Sequence, residues 1–592
     1  MNTSRKITFS IASACLALLT TSSVASAQST FTVVGLPDTQ VYSEIYPEIF
    51  EAQTNWVRNE RFVRDIRYVS HYGDIVQNGD NLGQWLIGDA AMFTLDLEGD
   101  LPYGINAGNH DVTASGIPYS DYIPELYLQF FGPDRFSDKD WFNGASPSGM
   151  SNYQIIDAGG MEFLMLNIEC DTPIRELEWA QGILDKNRDK PTFLTTHRYL
   201  QDAEDVTFDV PLVPSGRYPS IWYAIEPPYT PDGIQSNELF NWFIRRNPSI
   251  FMVNCGHFSE EFRQASFNVE NRIVHEVLAD FQSDDNGGDG FLRIMHFDTA
   301  ANRIDIQSYS PWIDDYDTDF ESQFVLNVDF QSYRETQGFS IFHNGFNGYS
   351  GTKDTWLNED EPDQSYGDGD TRWADDDYAN SIFNDYQAHV LIRFDDILGP
   401  EGSSKIPEGS VVTKAILNLE IEADIDGPFN PEFYVWEMTR PWEENSTWNS
   451  LGDGLNEGDD LGDYLGSFLG DNIPDGESLR RLDITSAVQK WVNGDDNYGI
   501  GITPEVITLN DEGIAIWTSE AGNPLLRPTL EVWFDATKTY DPADLNQDDA
   551  VNGADLAIVL LNWNVVDSVA DLNGDGFTDG ADLAIVLLGW TG

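Results

Sequence analysis

The chain has 592 residues, 41% of them apolar, with 100 acidic against 32 basic side chains and a formal net charge of −68. That length and apolar content exceed one core, so several folded units are expected rather than a disordered polymer. Acidity on this scale repels phosphodiester backbones and anionic lipid. It sets aside a nucleic-acid-binding patch and a membrane-surface role, and it favours solubility and cation uptake.

In chain order, residues 1–27 read as an export signal. Arg5 and Lys6 precede an apolar run from Ile7 to about Thr21, and Ala25-Ser26-Ala27 supplies small residues for cleavage. The run is too short for a spanning helix, and no later segment is long and apolar enough to span. A secreted protein, extracellular or cell-surface associated, is therefore expected. Removal of Cys15 with the signal would leave Cys170 and Cys255, for which two buried free thiols are preferred over a single bridge.

From 28 to 335, β-type runs (Phe31–Leu36, Ile66–His71, Glu162–Ile168, Thr192–Thr196, Ile250–Asn254) alternate with amphipathic stretches such as Pro47–Arg64 and Glu176–Asn187. Such alternation predicts a layered α/β domain. From 340 to 536, short alternating segments (Ala388–Phe394, Ala415–Ile421, Glu432–Glu437) lie between Gly-, Asp- and Pro-rich turns without a convincing helix. This predicts an all-β sandwich, jelly-roll-like. In 541–592, the nonapeptide starting at Gly553 recurs letter for letter at Gly580, an offset of 27 residues, which marks two copies of one small helical unit.

Five polar motifs fall where apolar runs end: Pro37-Asp38-Thr39-Gln40, Gly73-Asp74, Gly108-Asn109-His110-Asp111, Thr196-His197 and Gly256-His257. In open α/β sheets, ligands collect outside the carboxyl ends of strands, so these motifs are expected to converge. Their order resembles the calcineurin-like metallophosphoesterase superfamily, and Pro37–Gln40 resembles its Pro-Asp-Thr-Gln subgroup. The resemblance implies two divalent cations (Mn, Fe, Zn or Mg) bridged by Asp74. It assigns Asp38 and Gln40 to the first ion and Asn109, His197 and His257 to the second. It places His110 and Asp111 beside a phosphoester substrate as catalytic residues that steady or protonate the leaving group. Two such cations neutralise phosphate oxygens, orient the ester and supply metal-bound hydroxide. Gln40 stands where many members carry His, and Ser259 replaces the second His of the terminal Gly-His-x-His. Both changes make the first site richer in oxygen, which favours manganese, magnesium or calcium over zinc.

The β-rich region resembles DNRLRE-type modules of secreted enzymes through Asp354-Thr355-Trp356, Leu391–Asp395, Trp442-Glu443-Glu444, Thr447-Trp448-Asn449 and Arg527-Pro528, although the name motif is absent. A polysaccharide partner is implied by that association.

The tail repeats oxygen-bearing side chains at loop positions 1, 3, 5, 9 and 12, the spacing of a calcium loop. The first set is Asp544, Asn546, Asp548, Asn552 and Asp555; the second is Asp571, Asn573, Asp575, Asp579 and Asp582. Closure by Asp resembles type I dockerins, which implies two calcium ions and a cohesin-like partner. The expected function is a secreted metal-dependent phosphoric ester hydrolase acting on a phosphate mono- or diester, with accessory binding and anchoring modules. The alternative is a catalytically inactive, metal-stabilised adhesion or carbohydrate-binding scaffold.

Overall fold

The strand Thr30–Leu36 (β1) shows how the pattern of apolar residues builds layers: Phe31 and Val33 enter one core, and Val34 and Leu36 enter another on the opposite face. The computed structural model describes residues 29–97, 101–114, 122–201, 216–217, 228–333, 337–376, 386–400, 403–424, 432–470, 478–505, 513–535, 543–546, 551–566 and 568–590. The export-signal reading on residues 1–27 lies outside them. Two compact units emerge, one of Met1–Glu176, Asn187–Leu239 and Ile244–Arg334, the other of Leu177–Lys186, Phe240–Phe243 and Glu335–Gly592.

In the first unit, chain order gives α1 (Gln40–Glu44), α2 (Pro47–Glu60), β2 (Ile66–His71), α3 (Leu82–Asp96), β3 (Tyr103–Ile105), α4 (Glu125–Phe131), β4 (Phe142–Ala145), β5 (Asn152–Ala158) and β6 (Met161–Asn167). Then come β7 (Thr192–Arg198), β8 (Ile250–Gly256), β9 (Glu261–Phe267), β10 (Ile273–Ala279), β11 (Leu292–Asp298), β12 (Arg303–Ser310), β13 (Asp315–Asp317) and β14 (Phe324–Asn327). Two mixed seven-stranded sheets result. In one, β1, β2 and β3 run parallel and β11 pairs antiparallel with β1. In the other, β6, β7, β8 and β10 run parallel in that order.

Phe31, Val33, Tyr68, Phe163, Phe193, Phe251 and Phe297 come from strands of both sheets and share one core. On the other face of the first sheet, Val34, Leu36 and Val69 meet Ile49, Phe50 and Val57 of α2 and Trp85 and Met92 of α3. The buried positions 49, 50, 53, 54 and 57 of α2 form one helical stripe, and Pro47 opens that helix where no intrahelical amide bond is lost. Each fully buried Phe or Leu stabilises this packing by about 1.5–3 kcal/mol. Cys170 and Cys255 are buried free thiols.

The second unit centres on an eleven-stranded sheet in which the strand Val411–Asp424 pairs with three others and shifts register between Ile421 and Ala423. The expectation of a helix-free region is corrected. Thr485–Val492 is an α-helix whose Ala487, Val488, Trp491 and Val492 enter the β core. Trp356, Trp442 and Trp448, quoted above for the module resemblance, are buried in its cores. They are therefore packing residues, not a platform open to sugar rings. The tail folds as two nine-residue helices, Gly553–Leu561 and Gly580–Leu588, around Val551, Val559, Ala570 and Val586. Among the described residues no helix is long and apolar enough to cross a membrane.

Candidate metal centre

Parallel strands put their carboxyl ends on one rim, and the site residues follow those ends. Asp38 follows β1, Asp74 follows β2, Asn109 and His110 follow β3, His197 closes β7 and His257 follows β8. Two sharp turns aim the side chains. Asp74 (φ 53°) and His257 (φ 76°) are held in the left-handed region, a strain of about 1–3 kcal/mol each that concentrates at functional sites.

The His197 imidazole is set by its outer nitrogen. His197 Nδ1 lies 2.9 Å from the Tyr72 carbonyl and so donates to it. Its Nε2 lone pair then faces Asn109 Oδ1 at 3.0 Å and Asp74 Oδ2 at 3.2 Å. His257 Nδ1 lies 2.8 Å from the same Asn109 oxygen. Ligand atoms of Asp74, His197 and His257 all fall within 4.8 Å of one another. Acceptors facing acceptors at these distances repel unless a proton or a cation sits among them.

A second group adjoins the first. Asp38 Oδ2 accepts from the His257 amide at 3.2 Å, while Asp38 Oδ1 and Gln40 Oε1 are buried and receive no hydrogen bond. Such orphaned buried acceptors are uncommon, and in a cleft of carboxylates they fit a cation. The glycines of the motifs make room. A methyl on Gly108 would fall 2.1 Å from Asp74 Oδ1, and one on Gly256 would fall 2.4 Å from Asp38 Oδ1.

Electrostatics follow from burial and neighbours. Burial, then Asp280 and Asp74, push Asp38 well above the usual carboxylate range. Burial works against the ionised Asp74 as well, but His197, His110 and His257 outweigh it and hold Asp74 below that range. Burial opposes protonation of His197 too, yet Asp74 overrides it and raises that imidazole, whereas burial and then His197 depress His257.

Asp111 is placed otherwise than expected. Its buried carboxylate accepts from the amides of Ile75 (2.8 Å), Val76 (3.1 Å) and Gly108 (2.9 Å), so it ties the Asp74 loop to the Asn109 loop and holds no face open to substrate. His110 is half-buried. Its amide donates to Asp74 Oδ1 at 2.9 Å and its Nδ1 lies 2.7 Å from the Gln77 carbonyl, which leaves Nε2 for a reacting group.

Four further residues shape the site without having been singled out in the sequence. His71 accepts from the Gly73 amide at 3.1 Å and meets Thr39 Oγ1 at 3.0 Å, bracing both loops as a neutral ring that burial holds at about 3. The Tyr229 ring stands 6.2 Å from that of His257. Asp280 and Gln282 border Asp38. Asp280 ends an apolar strand in the same manner as the motifs that were read, so the same rule would have found it.

In the tail, the second loop is wrapped around its own carboxylates. Asp571 accepts from the amides of Gly574, Asp575 and Gly576, and Asp582 from those of Leu572, Asn573 and Asp579. Asp579 and Asn552 cap the two helices with reciprocal capping boxes that use Asp582 and Asp555. Asp548 lies outside the described residues.

No protein-family model matches the sequence. The uncharacterized protein YvnB of Bacillus subtilis (strain 168) is 31% identical over 315 residues, or 51% of this chain and 22% of YvnB. The chain thus spans about a fifth of the length of the curated relative it matches. Among solved structures, it is similar to purple acid phosphatase PPD1 from yellow lupin (Lupinus luteus) seeds at a TM-score of 0.32 and 13% identity, covering 52% of this chain and 55% of that one. It is also similar to a dimetal phosphatase from Danio rerio at a TM-score of 0.31 and 12% identity, covering 50% of this chain and 98% of that one.

Proposed function

We propose that the α/β unit is a metal-dependent phosphoesterase that hydrolyses a phosphate mono- or diester. The observation that carries this reading is the meeting of Asp74, Asn109, His197 and His257 around shared short contacts, with Asp38 and Gln40 adjoining them. Asn109, His197 and His257 would hold one divalent cation, Asp38 and Gln40 the other, and Asp74 both. Cations so held neutralise phosphate oxygens and lower the pKa of a water molecule.

The chain's own residues do the rest. Tyr72 fixes the His197 tautomer through its carbonyl, so that Nε2 is presented as a ligand. Asp111 keeps the loops of Asp74 and Asn109 in register, a positioning task. His110, anchored at Nδ1 by Gln77, is oriented to steady the leaving oxygen and to deliver a proton from Nε2.

Residues 28–335 are proposed as this catalytic domain, 340–536 as an accessory β-sandwich module and 541–592 as a calcium-binding tail on a secreted protein. The loop spacing and the inward carboxylates of Asp571 and Asp582 support the calcium reading. A cohesin-like partner remains an implication of the dockerin resemblance. The test is elemental analysis with turnover of chromogenic mono- and diesters under Mn²⁺, Fe²⁺, Zn²⁺ and Mg²⁺. Wild type should turn over with at least one ion and Asn109→Ala should lose that turnover; equal inactivity of both with every ion would sink the proposal.

A further inference from the structure

The first cation position is short of ligands by sequence. Gln40 replaces an imidazole, and Ser259, where the superfamily pattern has its second His, is exposed in the structure. The geometry points to Asp280 as an added oxygen ligand of that cation, with Gln282 as the residue that positions it; this rests on the metal-dependent reading above.

Strand pairing brings Asp280 to the site. β10 runs parallel to β8 with Leu278 opposite Cys255, so Asp280, just past the end of β10, comes level with the Gly256–His257 turn. Its amide donates to the Glu260 carbonyl at 3.0 Å, which ties the two loops together. The side chain is 1% exposed and within hydrogen-bonding reach of Asp38. Two buried carboxylates in contact repel, and a cation between them removes that cost.

Gln282 arranges the groups around that position. Its Nε2 donates to Asp280 Oδ2 at 2.7 Å, and lies 3.4 Å from Asp38 Oδ2 and 3.3 Å from the His257 carbonyl. Its Oε1 accepts from Gln40 Nε2. Because the Gln40 amide nitrogen is engaged in that bond, its carbonyl oxygen is the group left over, and that Oε1 is the buried acceptor without a hydrogen bond. Asp38, Gln40, Asp74 and Asp280 then form an all-oxygen set, beside a second set that includes two imidazoles. A hard ion such as Mn²⁺ or Mg²⁺ suits the first and a transition metal suits the second.

The experiment measures manganese binding to the metal-stripped full chain by elemental analysis and titration, with electron paramagnetic resonance to tell a coupled ion pair from isolated ions. Wild type, Asp280→Asn, Asn109→Ala and the exposed-site control Ser259→Ala all carry the same tail, so differences in manganese content report on the α/β site. Asp280→Asn should weaken one site by about 10–100-fold and replace the coupled-pair signal with that of a single ion, without lowering the metal-free melting temperature. Ser259→Ala should match wild type. If Asp280→Asn keeps two ions at wild-type affinity, the assignment to Asp280 is overturned while the phosphoesterase reading stands. If wild type binds no more manganese than Asn109→Ala, the metal-dependent reading itself fails. Should Asp280→Asn not fold, anomalous diffraction from manganese-soaked wild-type crystals decides. An Asp280 oxygen within about 2–2.6 Å of the first ion supports the assignment, and an ion out of its reach overturns it.

Discussion

Replacing Gly256 with alanine adds one methyl group at the place where the site has no space for it. That methyl would fall 2.4 Å from Asp38 Oδ1 and 3.3 Å from Asp38 Cγ. A carbon–oxygen contact relaxes only beyond roughly 3.3 Å, so Asp38 or the strand end must retreat by about 1 Å. Gly256 sits at the end of β8 outside the positive-φ region, so the effect comes from this contact and not from backbone strain. Overpacking of this kind costs about 1–3 kcal/mol, which a unit of this size survives. A ligand displaced by about 1 Å costs on the order of 10²-fold in rate. Gly256→Ala should therefore remain folded, bind its first metal ion more weakly, keep the ion at Asn109, His197 and His257, and lose about 10²-fold in kcat on a chromogenic phosphoester. Circular dichroism, metal titration and steady-state kinetics on one preparation check all four. A Gly256→Ala protein that holds both ions at wild-type affinity and turns over at the wild-type rate would refute the placement of Asp38 at the cation.

His110→Ala should retain the full metal content while turnover falls by about 10²–10⁴-fold; loss of metal instead would show that His110 is a ligand. In the metal-free chain, burial raises Asp280 to about 6, against an ordinary value near 3.9 in the unfolded chain. The folded form then holds a proton that the unfolded form has released. That contribution to stability is fully present below about pH 4 and is lost as pH rises to about 6. Denaturant midpoints of metal-free wild type should accordingly fall more steeply across that window than those of Asp280→Asn, and identical slopes would contradict the coupling. Calcium should raise the helical circular dichroism of the full chain and protect the tail from protease. Asp582→Asn should remove most of that response, because Asp582 closes the loop and also accepts three backbone amides.

Much of the fold was legible in the sequence because strand periodicity is local. The runs read at Phe31–Leu36, Ile66–His71, Thr192–Thr196 and Ile250–Asn254 lie within or match β1, β2, β7 and β8, and Ala388–Phe394 is a strand at those same bounds. The short β3 escaped notice because three residues carry no period, although it presents Asn109. The helix Thr485–Val492 was missed because its flanks read as sandwich turns, while its amphipathic stripe becomes meaningful only against the core it fills.

The sequence alone determined which donor types are present and in what order, because the identity of a side chain and its place after an apolar run are local facts. It also determined the duplication in the tail, since repetition needs no partner to be seen. Tertiary structure decided which donors meet. It turned the Asp111 carboxylate onto three backbone amides, and it left Asp38 Oδ1 and Gln40 Oε1 without hydrogen bonds. It also brought Asp280 and Gln282 beside Asp38, 242 and 244 positions away in the chain. Contacts of that range depend on how parallel strands order themselves within each sheet, and a single chain's spacing does not encode that order.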